Sequence, residues 1–204
     1  YVDATTHPDY ITGTGVFEGL TFTDSQYAYY CDRTENTADQ PMPTFTNCVF
    51  TGAASVFVRT REYAGAANFR NCVFTNLTGG TSWGRIHIES TYQPTFTDCL
   101  FVDNKVDNGF GLLHFTNTSV VFLRCRFVKN IASRGEAITD DRGTDWFYDC
   151  DFIANSGGYS GGAVYLWDVG SASRSKRFSN CTFRVNSAYA YGGAIRGEMY
   201  GRSE

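Results

Sequence analysis

The sequence predicts an all-β chain that folds as a right-handed parallel β-helix, a solenoid of about seven coils with Phe and Cys ladders inside. Three observations lead to this prediction. A Phe-x-x-Cys-x-Phe unit recurs along the chain, residues that tolerate left-handed backbone precede nearly every Cys, and a Gly-Gly-Ala-Ile unit follows. Helical periodicity is nearly absent. We expect residues 1–204 to form a single β-helix domain, as a segment of a longer protein or of an end-to-end assembly.

The six-residue unit places 14 of the 17 Phe in two columns and six of the seven Cys in a third. Its spacing averages about 27 residues while the unit itself is constant, so insertions belong in loops. The columns are Phe17, Phe45, Phe69, Phe96, Phe122, Phe147 and Phe178; Leu20, Cys48, Cys72, Cys99, Cys125, Cys150 and Cys181; and Phe22, Phe50, Phe74, Phe101, Phe127, Phe152 and Phe183.

The residue before each member of the Cys column predicts a corner in the chain. Six of these seven residues are Gly, Asn or Asp, which adopt a left-handed backbone most readily. A corner there lets the preceding Phe and the Cys point inward together, which an uninterrupted strand would prevent. Arg124 is the exception, and we expect it to be strained or differently turned.

The Gly-Gly-Ala-Ile units predict a further strand with a small inward residue, and they are centred on Ala137, Ala163 and Ala194. Asn104, Asn130, Asn155 and Asn186 each follow their Cys by five residues and mark the loop before that strand. A unit this small cannot bury its own apolar face, so successive units must stack. Parallel crossovers are almost always right-handed. The alternative is a β-sandwich, which does not require Phe and Cys at a repeated offset.

The Phe-x-x-Asn/Cys and Gly-Gly-Ala-Ile units resemble the repeats of the chlamydial polymorphic outer membrane protein family and of the wider pectin-lyase-like β-helices. The resemblance extends from about Phe17 to Arg196. It implies the β-helix fold, whereas that superfamily includes lyases, hydrolases, adhesins and structural rods. This chain has Cys where the family's typical motif has Asn.

Composition and cysteine spacing restrict the environment and the partners. A net charge of −4 argues against nucleic acid as a partner, and no apolar run predicts a transmembrane segment. In-register Cys side chains point the same way, so we expect buried free thiols rather than disulfides, and Cys31 has no obvious mate. No metal or cofactor is predicted. Abundant Thr, Ser, Asn and Tyr favour an extracellular or cell-surface location, with glycosylation sequons at Asn76 and Asn117. A third sequon at Asn180 should remain bare, because Asn180 is a corner residue.

Two outward faces are candidate binding surfaces. Six apolar residues flank the Cys column and predict either a protein interface or a surface covered by a return loop: Val49, Val73, Leu100, Val102, Val128 and Ile153. The face that follows the Gly-Gly-Ala-Ile strands predicts a glycan-binding surface or a merely solvated one: His87, Glu89, His114, Asp141, Tyr165 and Trp167.

The catalytic signatures of a polysaccharide lyase or hydrolase are not recognised in the sequence. Asp140, Asp141 and Arg142 form its only compact acid–base cluster, and an Asp-Asp pair in a loop is usually part of a turn. We therefore predict a non-catalytic extracellular scaffold that acts in adhesion or in surface or filament assembly, with other protein chains or copies of itself as partners. The alternative is a polysaccharide-binding or polysaccharide-degrading β-helix.

Overall fold

Three parallel sheets run through the chain. The computed structural model describes residues 15–23, 29–33, 42–53, 58–62, 66–79, 84–90, 92–107, 111–132, 136–159, 161–167 and 175–198. These residues form strands and turns without a helix. Every pairing between coils is parallel.

The first sheet contains seven strands in sequence order, each three residues long. They are β1 (Val16–Glu18), β4 (Thr44–Thr46), β7 (Asn68–Arg70), β10 (Thr95–Thr97), β14 (Val121–Leu123), β18 (Trp146–Tyr148) and β22 (Arg177–Ser179).

The second sheet has eleven strands, because the long strand β8 pairs with two successive ladders. The ladder through the Cys column contains β2 (Thr21–Thr23), β5 (Val49–Ala53), β8 (Val73–Gly79), β11 (Leu100–Val102), β15 (Arg126–Val128), β19 (Asp151–Ile153) and β23 (Thr182–Arg184). The ladder that follows contains β12 (Lys105–Val106), β16 (Ile131–Ala132), β20 (Ser156–Gly157) and β24 (Ser187–Ala188).

The third sheet again contains seven strands. They are β3 (Tyr29–Arg33), β6 (Val58–Glu62), β9 (Ile86–Glu89), β13 (Gly111–Thr116), β17 (Glu136–Asp141), β21 (Val164–Trp167) and β25 (Ile195–Glu198).

The core is built from the predicted Phe columns, and each ring stacks on the same column's ring in the next coil. Phe101 lies between Phe74 and Phe127, with ring centroids 4.6 Å from each. The two columns meet edge to face, as Phe122 and Phe127 do at 5.5 Å and 72°. Both geometries are favourable for aromatic rings. The predicted solenoid with its aromatic ladders is confirmed.

The cysteines form the predicted column of free thiols. Cys48, Cys72, Cys99, Cys125 and Cys150 are buried, and Cys181 is partly buried. Each thiol donates to a Phe carbonyl of the preceding coil, as Cys72 Sγ does to Phe45 O at 3.3 Å. Burial raises the pKa of the Cys99 thiol well above its usual range, which keeps it neutral and unreactive. The structure places Cys31 in β3 but does not describe its side chain, so its redox state lies outside the described part of the chain.

The corner before the Cys column is left-handed in every coil, with φ between 50° and 67°. Arg124 turns like the others, with φ 52°, so the strained alternative is the one observed. Its guanidinium binds Asp98 through Nε at 2.6 Å and Nη2 at 2.8 Å. That ion pair orients the long side chain along the outside of the corner.

A second left-handed corner, four residues after the Cys column, was not predicted. It is formed by Gly52, Asn76, Asp103, Lys129, Ala154 and Val185. The residues immediately after this corner form an internal Asn ladder, defined as Asn104, Asn130, Asn155 and Asn186. Asn130 is typical: Nδ2 donates to Phe101 O at 3.0 Å and to Asn155 Oδ1 at 2.9 Å. The asparagines therefore lie between two strands, as predicted, and their side chains fill the inside of the corner.

Candidate functional site

The third sheet carries the predicted ligand face, and its register matches the predicted columns. His87 pairs with His114, which pairs with Thr139, and this row continues to Tyr165 and Arg196. The row two residues later runs through Glu89, Thr116, Asp141, Trp167 and Glu198.

Solvent reaches only part of this face. His87 and His114 are 1% and 4% exposed, and their rings stack at 5.1 Å. The expectation that both imidazoles face solvent is therefore wrong, because β13 is buried on both of its faces. Glu89, Asp141, Tyr165 and Trp167 remain partly exposed. Apart from Glu89 on β9, the accessible part of the face lies toward the C-terminal coils.

An aromatic cluster occupies that accessible part, and we define it as Tyr159, Tyr165, Trp167, Tyr191 and Arg196. The Arg196 guanidinium lies over Tyr191 at 4.7 Å and over Tyr165 at 5.6 Å. Tyr165 contacts Trp167 edge to face at 5.8 Å, and Tyr159 contacts Tyr191 at 5.7 Å. Cation–π and edge-to-face contacts hold the cluster in a fixed arrangement.

Glu198 completes the polar side of the aromatic cluster. Tyr165 Oη donates to Glu198 Oε2 at 2.7 Å, and Arg196 forms an ion pair with the same carboxylate. Sequence analysis missed Tyr159 and Tyr191. The signal for both was a Tyr one or two positions before a Gly-Gly pair in two successive coils. Half-exposed rings beside hydrogen-bonding groups are suited to sugar rings.

Three charged residues form a buried charge triad: Asp140 in β17, Asp145 just before β18, and Lys176 just before β22. Lys176 Nζ contacts Asp140 Oδ2 and lies 2.9 Å from Asp145 Oδ2. The side chains are 6% exposed for Lys176 and 0% for both acids. Asp140 occupies the inward row that elsewhere contains Phe115 and Leu166.

Burial changes the protonation of this triad. Desolvation raises the pKa of Asp145 to about 8, against a hydrogen bond from Val120 N that favours the carboxylate. Desolvation also lowers the pKa of Lys176 to about 7. The groups are enclosed, so general acid–base chemistry on a bound polymer has no access to them. Their role is to fix the start of β22 against the coil before it. The predicted Asp140-Asp141-Arg142 cluster therefore divides, because Asp141 pairs with Arg142 outside at 2.9 Å.

Arg85 is a further charged residue inside the β-helix. It lies in the row of Leu112, Ala137 and Ala163 and is 0% exposed. Within the described ranges, its guanidinium nitrogens have no hydrogen-bond partner. Burial lowers its pKa to about 10, although the charge of Asp107 acts in the opposite direction. Sequence analysis missed this position because the charge stands where the repeat predicts a small residue.

The predicted apolar face lies on the outside of the second sheet. Val49, Val73 and Leu100 are aligned in one row. Val102, Val128 and Ile153 are aligned in a second row. All six side chains are partly exposed, so the part of the chain that the structure describes does not cover this face completely.

The predicted sequons lie at exposed positions. Asn76 and Asn117 are exposed and left-handed, each with φ 52°. Asn180 is also exposed at its corner, where Nδ2 donates to Asp149 Oδ1 at 2.6 Å. Attachment of sugar at Asn76 and Asn117 remains a prediction.

Neither a metal cluster nor a membrane-spanning helix is present among the described residues. These residues contain no group of three or more His, Cys, Asp or Glu side chains that could hold a metal ion. Within the same ranges, no helix has the length and apolar character needed to cross a membrane.

Comparison with known proteins identifies the family of this chain. No curated protein matches the sequence. The family model described as a right-handed beta helix region matches residues 10–192. This match covers most of the chain and agrees with the three parallel sheets and their stacked core. The chain therefore belongs to the right-handed β-helix family.

Proposed function

We propose that this β-helix is a non-catalytic extracellular scaffold that acts in adhesion or in surface or filament assembly. The observation that carries the proposal is the apolar face on the second sheet. Its two rows place six partly exposed apolar side chains on neighbouring strands. Burial of such an apolar surface by a partner is favourable, at about 25 cal/mol per Å².

The partner is another protein chain or another copy of this one. The solenoid resists bending because backbone hydrogen bonds, the Phe columns and the Asn ladder connect each coil to its neighbours. A stiff rod presents its lateral face without a large loss of conformational entropy on binding. The composition and the exposed sequons support a location outside the cell or at its surface.

Light scattering over a range of concentrations tests the proposal. We expect the protein to associate without releasing sugar from a uronan or a glucan. Val102→Glu/Val128→Glu should weaken lateral association, because each substitution places a carboxylate on the apolar face. Thr46→Glu/Thr97→Glu is the matched control and should associate like the wild type, since both Thr are partly exposed on the first sheet, away from the apolar face. A concentration-independent monomer that depolymerises a polysaccharide would refute the scaffold role.

Glycan binding is the second candidate, and the aromatic cluster favours it. The rings of Tyr165, Trp167 and Tyr191 are at least partly exposed beside the charged groups of Arg196 and Glu198. A sugar ring can stack on such a ring and bond to the neighbouring charges.

Affinity electrophoresis in gels that contain a uronan or a glucan tests glycan binding. We expect retardation that Trp167→Ala abolishes. Tyr148→Ala, which removes a partly exposed ring from the first sheet, should leave it unchanged. Equal retardation of the wild type and Trp167→Ala would exclude the cluster as the glycan site.

A further inference from the structure

The buried charge triad brings one amine into contact with two carboxyl groups. Lys176 Nζ contacts Asp140 Oδ2, and it donates to Asp145 Oδ2 at 2.9 Å and to Gly143 O at 2.6 Å. The Lys176 side chain is 6% exposed, and both Asp side chains are 0% exposed. The amine therefore lies against a carboxyl group in a place that water does not reach.

The surroundings of Asp140 are apolar and closely packed. Asp140 pairs with Phe115 and Leu166 of the neighbouring coils, and both of these residues are buried. A Cβ atom at Gly143 would lie 2.7 Å from Asp140 Oδ1 and 2.1 Å from Thr118 O, so only glycine allows this approach. Asp140 Oδ1 is buried and has no hydrogen-bond partner among the described residues. Such surroundings favour an uncharged amine and carboxyl group over an ion pair.

Asp145 lies on the other side of the amine and can transfer protons. Val120 N donates to Asp145 Oδ1 at 3.1 Å, which leaves Oδ2 directed at Lys176. Desolvation raises the pKa of Asp145 to about 8, so this carboxyl group carries a proton at neutral pH. Desolvation lowers the pKa of Lys176 to about 7, so much of its amine is uncharged there. An uncharged amine is a nucleophile, whereas an ammonium ion is not.

We propose that Lys176 and Asp140 become joined by an amide bond between Nζ and Cγ, which cross-links the chain inside the solenoid. Nζ first passes a proton to Asp140 Oδ2, which leaves an amine and a carboxylic acid. Nζ then attacks Cγ, so that a C–N bond forms and the C–O bond to the hydroxyl group breaks. Asp145 protonates the departing hydroxyl group, which leaves as water, and takes back the proton that the nitrogen loses. No atom changes its oxidation state, so no oxidant or reductant is needed.

The fold supplies the conditions for this condensation. Groups that are positioned in contact react with effective molarities of about 10⁵–10⁸ M. Exclusion of water from the site opposes hydrolysis of the product. The bond closes a loop over residues 140–176, which contains β18, β19, β20 and β21. It limits the freedom of the unfolded chain, as a disulfide does. The inference goes beyond the scaffold role and does not depend on it.

Mass spectrometry of the intact, denatured chain tests the inference. We expect the wild type to weigh less than its sequence by one water molecule, and digestion to release a branched peptide that joins Lys176 to Asp140. Lys176→Met removes the amine and should restore the full mass. Asp145→Asn should slow the reaction by about a hundredfold or more, because it removes the acid. Lys105→Met is the matched control and should still lose water, since Lys105 forms an exposed ion pair with Asp107 at 3.7 Å.

The outcomes separate the amide from other reactions. Circular dichroism first establishes which variants are folded, and the wild-type mass with the branched peptide decides the matter where a variant does not fold. A folded wild type of full mass overturns the inference. Loss of water that persists in Lys176→Met also overturns it, because cyclisation at an Asp residue releases water without a lysine. Reaction of Asp145→Asn at the wild-type rate overturns the role of Asp145. A cross-linked monomer that depolymerises polysaccharide refutes the scaffold role and leaves the cross-link standing.

Discussion

The internal Asn ladder makes a specific contribution to stability that Asn130→Leu removes. Asn130 Nδ2 donates to Phe101 O and to Asn155 Oδ1, at 3.0 and 2.9 Å. Its Oδ1 accepts from Asn104 Nδ2 at 2.8 Å and from Asn104 N at 3.4 Å. Leu has a similar volume, so the substitution removes four hydrogen bonds without leaving a large cavity. At about 1 kcal/mol net for each bond, we expect a loss of about 3–4 kcal/mol.

Urea denaturation followed by Trp fluorescence measures this loss. The free energy of unfolding of a typical domain is about 5–15 kcal/mol, so the expected decrease is a large fraction of it. Asn186→Leu is the matched control, because Asn186 belongs to the partly exposed last coil and water can replace its lost bonds. We expect a loss of about 1 kcal/mol there. If Asn130→Leu cost less than Asn186→Leu, the ladder would not stabilise the fold as argued.

Three further predictions concern buried groups. Arg85→Leu should raise the melting temperature, because it replaces a buried charge with the residue type found at Leu112 in the same row; a lower melting temperature would show that Arg85 has a stabilising partner. Folding raises the pKa of Asp145 from 3.8 to about 8, so the protonated carboxyl favours the folded state at low pH. That stabilisation is lost as the pH rises through the pKa of the folded state. Between pH about 5 and 7 the wild type should lose up to about 1 kcal/mol per pH unit relative to Asp145→Asn in denaturant melts, and a constant difference would contradict this protonation. Phe101→Ala should cost about 3–5 kcal/mol in urea unfolding and Phe178→Ala clearly less, because Phe178 is partly exposed; equal losses would argue against burial of the ring as the source.

Much of the fold is visible in the sequence because the repeat brings like residues into register. The Phe and Cys columns and the first corner could be predicted from spacing and residue type. The second corner could not, since Lys129, Ala154 and Val185 do not favour left-handed backbone. There the backbone conformation is imposed by pairing with neighbouring coils rather than by local preference.

The candidate sites were less predictable than the fold. The columns of His87 and His114 were placed correctly, but their burial was not anticipated. Register follows from the repeat, whereas burial depends on what packs on the outer face. The aromatic cluster was missed in part because Tyr159 and Tyr191 lie outside the repeated columns.

The sequence repeat alone predicts the stacking of the coils, the Phe and Cys interior and the outward apolar rows. Each of these features depends on the type of residue found at a repeated offset. The packed structure decides three other features. Lys176 contacts Asp140, Arg85 is buried in an apolar row, and Arg196 lies against two tyrosines. The repeat can place such residues in a row, as it does Tyr165 and Arg196, but which side chains contact each other is decided only when the coils pack together.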